Sequence, residues 1–81
     1  MSFKLTFMNN RHQEPLEAED ATGILNAWNA LPWWAEYEPA DFLETLVNGS
    51  GAEVPGGMPA ADEEILVALV EALDDVKLET I

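Results

Sequence analysis

The feature that most constrains this 81-residue chain is the distribution of its charge. The cations are Lys4, Arg11 and Lys77, so the stretch from His12 to Val76 carries 15 acids and no Lys or Arg. With 16 Asp+Glu against 3 Lys+Arg the formal net charge is -13. Solubility asks a small domain for a magnitude of only about 2 to 8, and the self-repulsion of the excess opposes compaction. Hydrophobic residues nevertheless make up 48% of the chain, too many for charge-driven disorder. One folded domain over residues 1–81 is expected, with a thin core, because a chain this short buries only about 60% of its unfolded surface. Cysteine is absent, so packing alone must hold that core.

The hydrophobic pattern predicts the elements. Phe3, Leu5 and Phe7 alternate with Lys4, Thr6 and Met8, the period of a strand with one buried face. Asn9 and Asn10 offer a turn, and a second extended piece from Gln13 to Ala18 returns beside the first, held to an edge by Pro15. Asp20 is an N-cap for a helix with Ile24, Trp28 and Leu31 on one face, stopped by Pro32. Pro39 opens a second helix with Phe42, Leu43, Leu46 and Val47 inward, capped at Asn48 and Gly49. The stretch from Gly49 to Pro59 has no periodicity and reads as a loop. A third helix begins near Pro59 or Asp62, its acids Asp62, Glu63 and Glu64 complementing the dipole, with Ile65, Leu66, Leu69, Val70 and Leu73 as its stripe. Val76 to Ile81 alternates again and closes the fold as a strand beside the first. The expected class is α+β: a small, mainly antiparallel sheet, formed by an N-terminal strand or hairpin plus the last strand, covered by three helices.

Little here suggests chemistry on a substrate. His12 is the single histidine and sits in a polar turn, and Ser50 in the glycine loop is its nearest conceivable nucleophile partner, with nothing placing the two together. The acids at Asp62, Glu63 and Glu64 and at Asp74 and Asp75 lack the alternation and turn glycine of a calcium loop. The glycine loop matches no phosphate-binding pattern. Asn48-Gly49-Ser50-Gly51 does not supply the Asp-Ser-Leu of an acyl carrier protein. No enzyme activity, metal or cofactor is expected. Direct binding to nucleic acid or an anionic membrane needs a basic patch that is missing. No apolar run of about 18 residues and no secretory leader pattern appear, so a cytoplasmic protein is expected, in the host cytoplasm if phage-encoded.

The sharpest constellation is Leu31-Pro32-Trp33-Trp34-Ala35-Glu36-Tyr37-Glu38, three large aromatics beside acids between two helices. Two adjacent indoles cannot both face the core from such a segment. Trp28, on the helix stripe, is the core member, and at least one of Trp33 and Trp34 is exposed. Exposed Trp and Tyr with an acidic rim suit a basic, cleft-bearing partner. The expected partner-binding residues are therefore Trp33, Trp34, Glu36, Tyr37, Glu38, Asp41 and Glu44. Glu64, Glu71 and Asp75, at spacings of about one helical turn and its double, form a secondary acidic face on the third helix.

The length, the absence of cysteine, the long cation-free acidic run and the strand-strand-helix opening together resemble the small proteins with which phages and mobile elements block bacterial defence, anti-CRISPR proteins above all. Several of those present carboxylates in place of nucleic-acid phosphates. Ala30-Leu31-Pro32, the aromatics that follow, and a helix with Phe42, Leu43 and Leu46 inward are also similar to the barstar family of ribonuclease inhibitors. That likeness places Glu44 where the family has a key inhibitory acid. The family's Gly-x-Asn-Leu-Asp stretch is absent and Pro39 interrupts the region. Both resemblances imply one mode of action: a non-enzymatic acidic inhibitor that occupies the basic nucleic-acid site of a partner protein. Two alternatives fit the same composition, an antitoxin or immunity protein neutralising a basic nuclease, and a small structural or assembly module whose acidity is incidental. Calorimetric titration with calcium, magnesium or manganese should give no tight site of fixed stoichiometry; a micromolar site would overturn the metal-free expectation.

Overall fold

The computed structural model describes residues 2–8, 12–54, 56–57 and 60–81. The elements run β1 (Phe3–Phe7), β2 (Leu16–Ala18), α1 (Ala21–Asn29), α2 (Pro39–Ser50), α3 (Asp62–Ala72) and β3 (Val76–Thr80). They form the expected α+β fold, an antiparallel sheet in the order β2-β1-β3 with three helices. The turn read at Asn9 and Asn10 lies outside the described residues.

In the central strand Leu5 is fully buried while Lys4 and Thr6 are only half-covered. Its partners are Leu16 on β2 and Leu78 on β3. The register β1 to β3 is unbroken from Phe3↔Thr80 to Phe7↔Val76. Helices α1 and α3 lie on the Leu5 face, and α2 packs against those two helices rather than on the sheet. The core therefore sits between the sheet and the helices, with Leu5, Ile24, Trp28, Phe42, Ile65, Leu66 and Leu69 at its centre. Among the described residues no polar or charged side chain is buried, as an uncompensated carboxylate in an apolar interior would require several kcal/mol of desolvation.

Several local expectations are sharpened. Only Leu16–Ala18 of the predicted Gln13 to Ala18 segment pairs with β1, because the chain can enter the ladder only after Pro15. Asp20 caps α1 as expected, its Oδ1 accepting from the Gly23 N–H at 2.7 Å. The cap of α2 is not at Asn48 and Gly49. The helix continues to Ser50 and Gly51 takes the left-handed conformation at φ 76°, its N–H donating to the Val47 carbonyl. Buried Val47 thereby stays inside a complete turn, and the residue that must be glycine for conformational reasons is the later one. Helix α3 ends at Ala72, and Leu73 is already extended, since the chain must reverse within three residues to enter β3. The Thr22 hydroxyl donates to Asp62 Oδ2 at 2.6 Å, tying the first turn of α1 to that of α3.

Gly23 has a different reason to be glycine. A Cβ at that position would stand 2.7 Å from the Ala18 Cβ and 3.2 Å from Asp20 Oδ1, so α1 and β2 approach closely only because neither side chain is large. Alanine would gain about 1 kcal/mol of helix propensity, yet overpacking costs about 1 to 3 kcal/mol. Gly23→Ala should therefore lower stability in urea denaturation, and the paired change Ala18→Gly should restore part of the loss. A stabilised Gly23→Ala protein would contradict this close approach.

Candidate partner-binding surface

The segment between α1 and α2 is a series of tight turns. The N–H of Leu31 bonds to the Trp28 carbonyl, that of Trp34 to Leu31 and that of Tyr37 to Trp34, at 3.1, 2.8 and 3.0 Å. Asn29, the last residue of α1, clamps the series from outside: its Nδ2 donates to the carbonyls of Trp34 at 3.0 Å and Tyr37 at 3.3 Å. Between these anchors the aromatics divide. Trp28 is 3% exposed and meets Phe7 and Phe42 edge-on. Trp34 is half-buried, edge-on to Phe42 and to Tyr37 with ring centroids 5.1 Å away in each case. Trp33 is 51% exposed and Tyr37 42%. The indole available to a partner is thus Trp33, while Trp34 supports the segment from beneath.

The acids of the predicted surface are all exposed: Glu36 and Glu38 on the connection, Asp41 in the first turn of α2, and Glu44 one turn on. They do not all share a groove with the indole. Trp33 lines a shallow depression of about 260 Å³ with Trp34, Leu46, Leu73 and Asp75. Glu44 lines another, between α2 and α3, with Leu43, Asn48, Asp62 and Ile65. Residues two apart on a helix point to different sides, so Leu46 and Glu44 face separate grooves.

The secondary row also divides. Glu64 and Glu71 stay together on α3 and are joined by Glu53 and Glu63 around Val67, which is itself half exposed. Asp75 does not continue that row, because α3 has already ended. It lies in the turn before β3, where its carbonyl accepts from the Met8 N–H at 2.7 Å, and it borders the Trp33 depression. An acid that shares the depression of the exposed indole is therefore 42 positions away in the chain. Asn29 is the contributor that sequence reasoning passed over, while Asp75, expected on the secondary acidic face of the third helix, stands instead beside Trp33. Asn29 reads as an ordinary polar-face residue, and Asp75 reads as the end of a helix.

Ser50 is engaged locally, its hydroxyl donating to the Val47 carbonyl and accepting from the Ala52 N–H. Among the described residues no three His, Cys, Asp or Glu side chains converge to hold a metal ion, and no helix is long and apolar enough to cross a membrane. In comparisons with known protein families, curated proteins and solved structures, the chain matches none.

Removing the Asn29 clamp takes the side-chain donor from the Tyr37 carbonyl and leaves the Trp34 carbonyl with the Tyr37 N–H alone. Asn29→Ala should cost about 1 to 2 kcal/mol in denaturant titration and shift tryptophan emission to the red as Trp34 loosens from Phe42. An unchanged midpoint and spectrum would show that the clamp does not hold the segment.

Proposed function

We propose that this protein is a non-enzymatic inhibitor that binds the Lys/Arg-lined nucleic-acid site of another protein, its carboxylates standing in for phosphates. The observation that carries this reading is the pairing of exposed Trp33 and Tyr37 with exposed Glu36 and Glu38 on one short connection and with exposed Asp41 in the first turn of α2. Apolar anchors with a charged rim make a small contact both tight and selective. The rest of the chain contributes a field: 16 acids against 3 cations attract a basic cleft and raise the association rate by one to three decades. A phage or mobile-element setting, opposing a nucleic-acid-handling host protein, is the natural context for such a molecule.

A partner captured from host lysate at low salt should, once purified, bind a labelled oligonucleotide, and this protein should displace that oligonucleotide. Combined reversal of Glu36, Glu38 and Asp41 to Lys should reduce mainly the association rate. Raising salt should act in the same direction, as the Debye length falls from about 10 Å at 0.1 M to about 3 Å at 1 M. Trp33→Ala should instead speed dissociation, at a cost of about 2 kcal/mol or more. Trp34→Ala should act first on stability, because of its place against Phe42. Binding that ignores both salt and these acids, or a partner indifferent to oligonucleotide, would sink the proposal.

A further inference from the structure

The two outer edges of the sheet are unlike. β2 is three residues long and follows Pro15 directly, which blunts it against pairing. β3 is five residues long, contains neither Pro nor Gly, and has no bulge in its register with β1. Ser2 and Ile81 exchange both backbone hydrogen bonds, at 3.0 and 2.8 Å, and the Met8 N–H bonds to the Asp75 carbonyl. In an antiparallel ladder such pairs alternate, so Lys77 and Glu79 are the β3 residues bonded to β1. The N–H and C=O groups of Val76, Leu78 and Thr80 then point away from it. Among the described residues no other backbone group bonds to them. The outer edge of β3 is thus a row of unused donors and acceptors.

We propose that this edge pairs with β3 of a second copy of the chain, antiparallel and centred on Leu78, to make a continuous six-stranded sheet. The charge pattern selects the occupant and the register. Centred on Leu78, the outward-pointing groups of Val76, Leu78 and Thr80 meet those of Thr80, Leu78 and Val76 in the second copy. Lys77 then stands opposite Glu79 of the second copy in a non-hydrogen-bonded pair, where Cα atoms are only about 4.5 Å apart and side chains lie closest. Sliding the centre to Lys77 or to Glu79 places like charges opposite each other. The sheet's solvent face already runs Glu17, Lys4, Glu79 across β2, β1 and β3, and the second copy's Lys77 continues that alternation. Half-buried Leu78 would meet its own copy on the helix side. Lysine on an edge strand ordinarily guards against pairing; with a glutamate two residues on it becomes self-complementary.

Opposing the pairing is the mutual repulsion of two chains of charge -13. Most of that repulsion acts beyond a Debye length and is screened by salt, whereas the close Lys77–Glu79 pairs are screened much less. Self-association should therefore strengthen as salt rises, the opposite of what acid-driven binding to a basic partner shows. This inference does not rest on the proposed function, and the two can fail separately.

The test is sedimentation equilibrium of the full chain across a salt series. The weight-average mass should climb from 8.9 kDa toward twice that value with protein concentration, and more steeply at high salt. Thr80→Pro removes an outward donor without touching a β1 bond and should return the mass to that of the monomer. Lys77→Glu should raise the dimer dissociation constant roughly tenfold by putting acids opposite acids, and the swap of Lys77→Glu with Glu79→Lys should recover most of that loss. Circular dichroism checks each fold, and if Thr80→Pro unfolds, the comparison of single reversal with swap decides alone. A chain monomeric at every salt concentration, or a swap no better than the single reversal, would overturn the proposal.

Discussion

The ladder between β1 and β3 is the interaction on which the rest depends. It joins the two strands furthest apart in sequence and makes β1 the central strand of the sheet. Closing so long a loop costs little more entropy than closing a shorter one, since the penalty grows only with the logarithm of length. Once closed, the ladder presents Leu5, Phe7 and Val76 as a single apolar surface. Helices α1 and α3 dock there, and α2 docks on them. Without the β3 partner that surface would be too narrow to cover, and a two-stranded piece is marginal in water.

Charge then explains what the fold must avoid. Between His12 and Val76 there are 15 acids and no Lys or Arg, so no carboxylate of that stretch can pair with a Lys or Arg of the same stretch. None of them is buried, and the buried set is apolar. Two of the three cations, Lys4 and Lys77, enter the sheet instead, where Lys4 stands between Glu17 and Glu79. Among the described residues, the sheet's outer face is where charges of alternating sign stand side by side. The proposed self-pairing edge on β3 and the proposed partner-binding connection between α1 and α2 thus lie on different elements.

The aromatic connection shows how far a local pattern reaches. That Trp28 belongs to the core follows from its place on the stripe with Ile24, and adjacent indoles cannot share a side of a turn. Which of the two stays out is decided by Phe42, whose ring receives Trp34 edge-on and leaves Trp33 in solvent. Glu44 and Trp33 look close in sequence, yet α2 turns them toward different grooves. Asp75 looks remote and arrives beside Trp33, because the turn before β3 brings it back.

The sequence by itself determined the kind and order of the elements, the cap at Asp20, the edge position of β2 and the apolar faces that turn toward the core. These follow from periodicity and backbone restriction, which act over a few residues. It also determined that the surface would be anionic, because no cations lie in the long acidic stretch. Only the tertiary structure decided that Gly23 must lack a side chain, that α2 runs to Ser50 with its cap at Gly51, that α3 stops short of Asp75, and that Asn29 clamps the aromatic turns. Each of these depends on how closely two elements approach or where one must end for the next to pair. Those distances are set when the β1–β3 ladder closes and the helices settle on it, and no local pattern carries them.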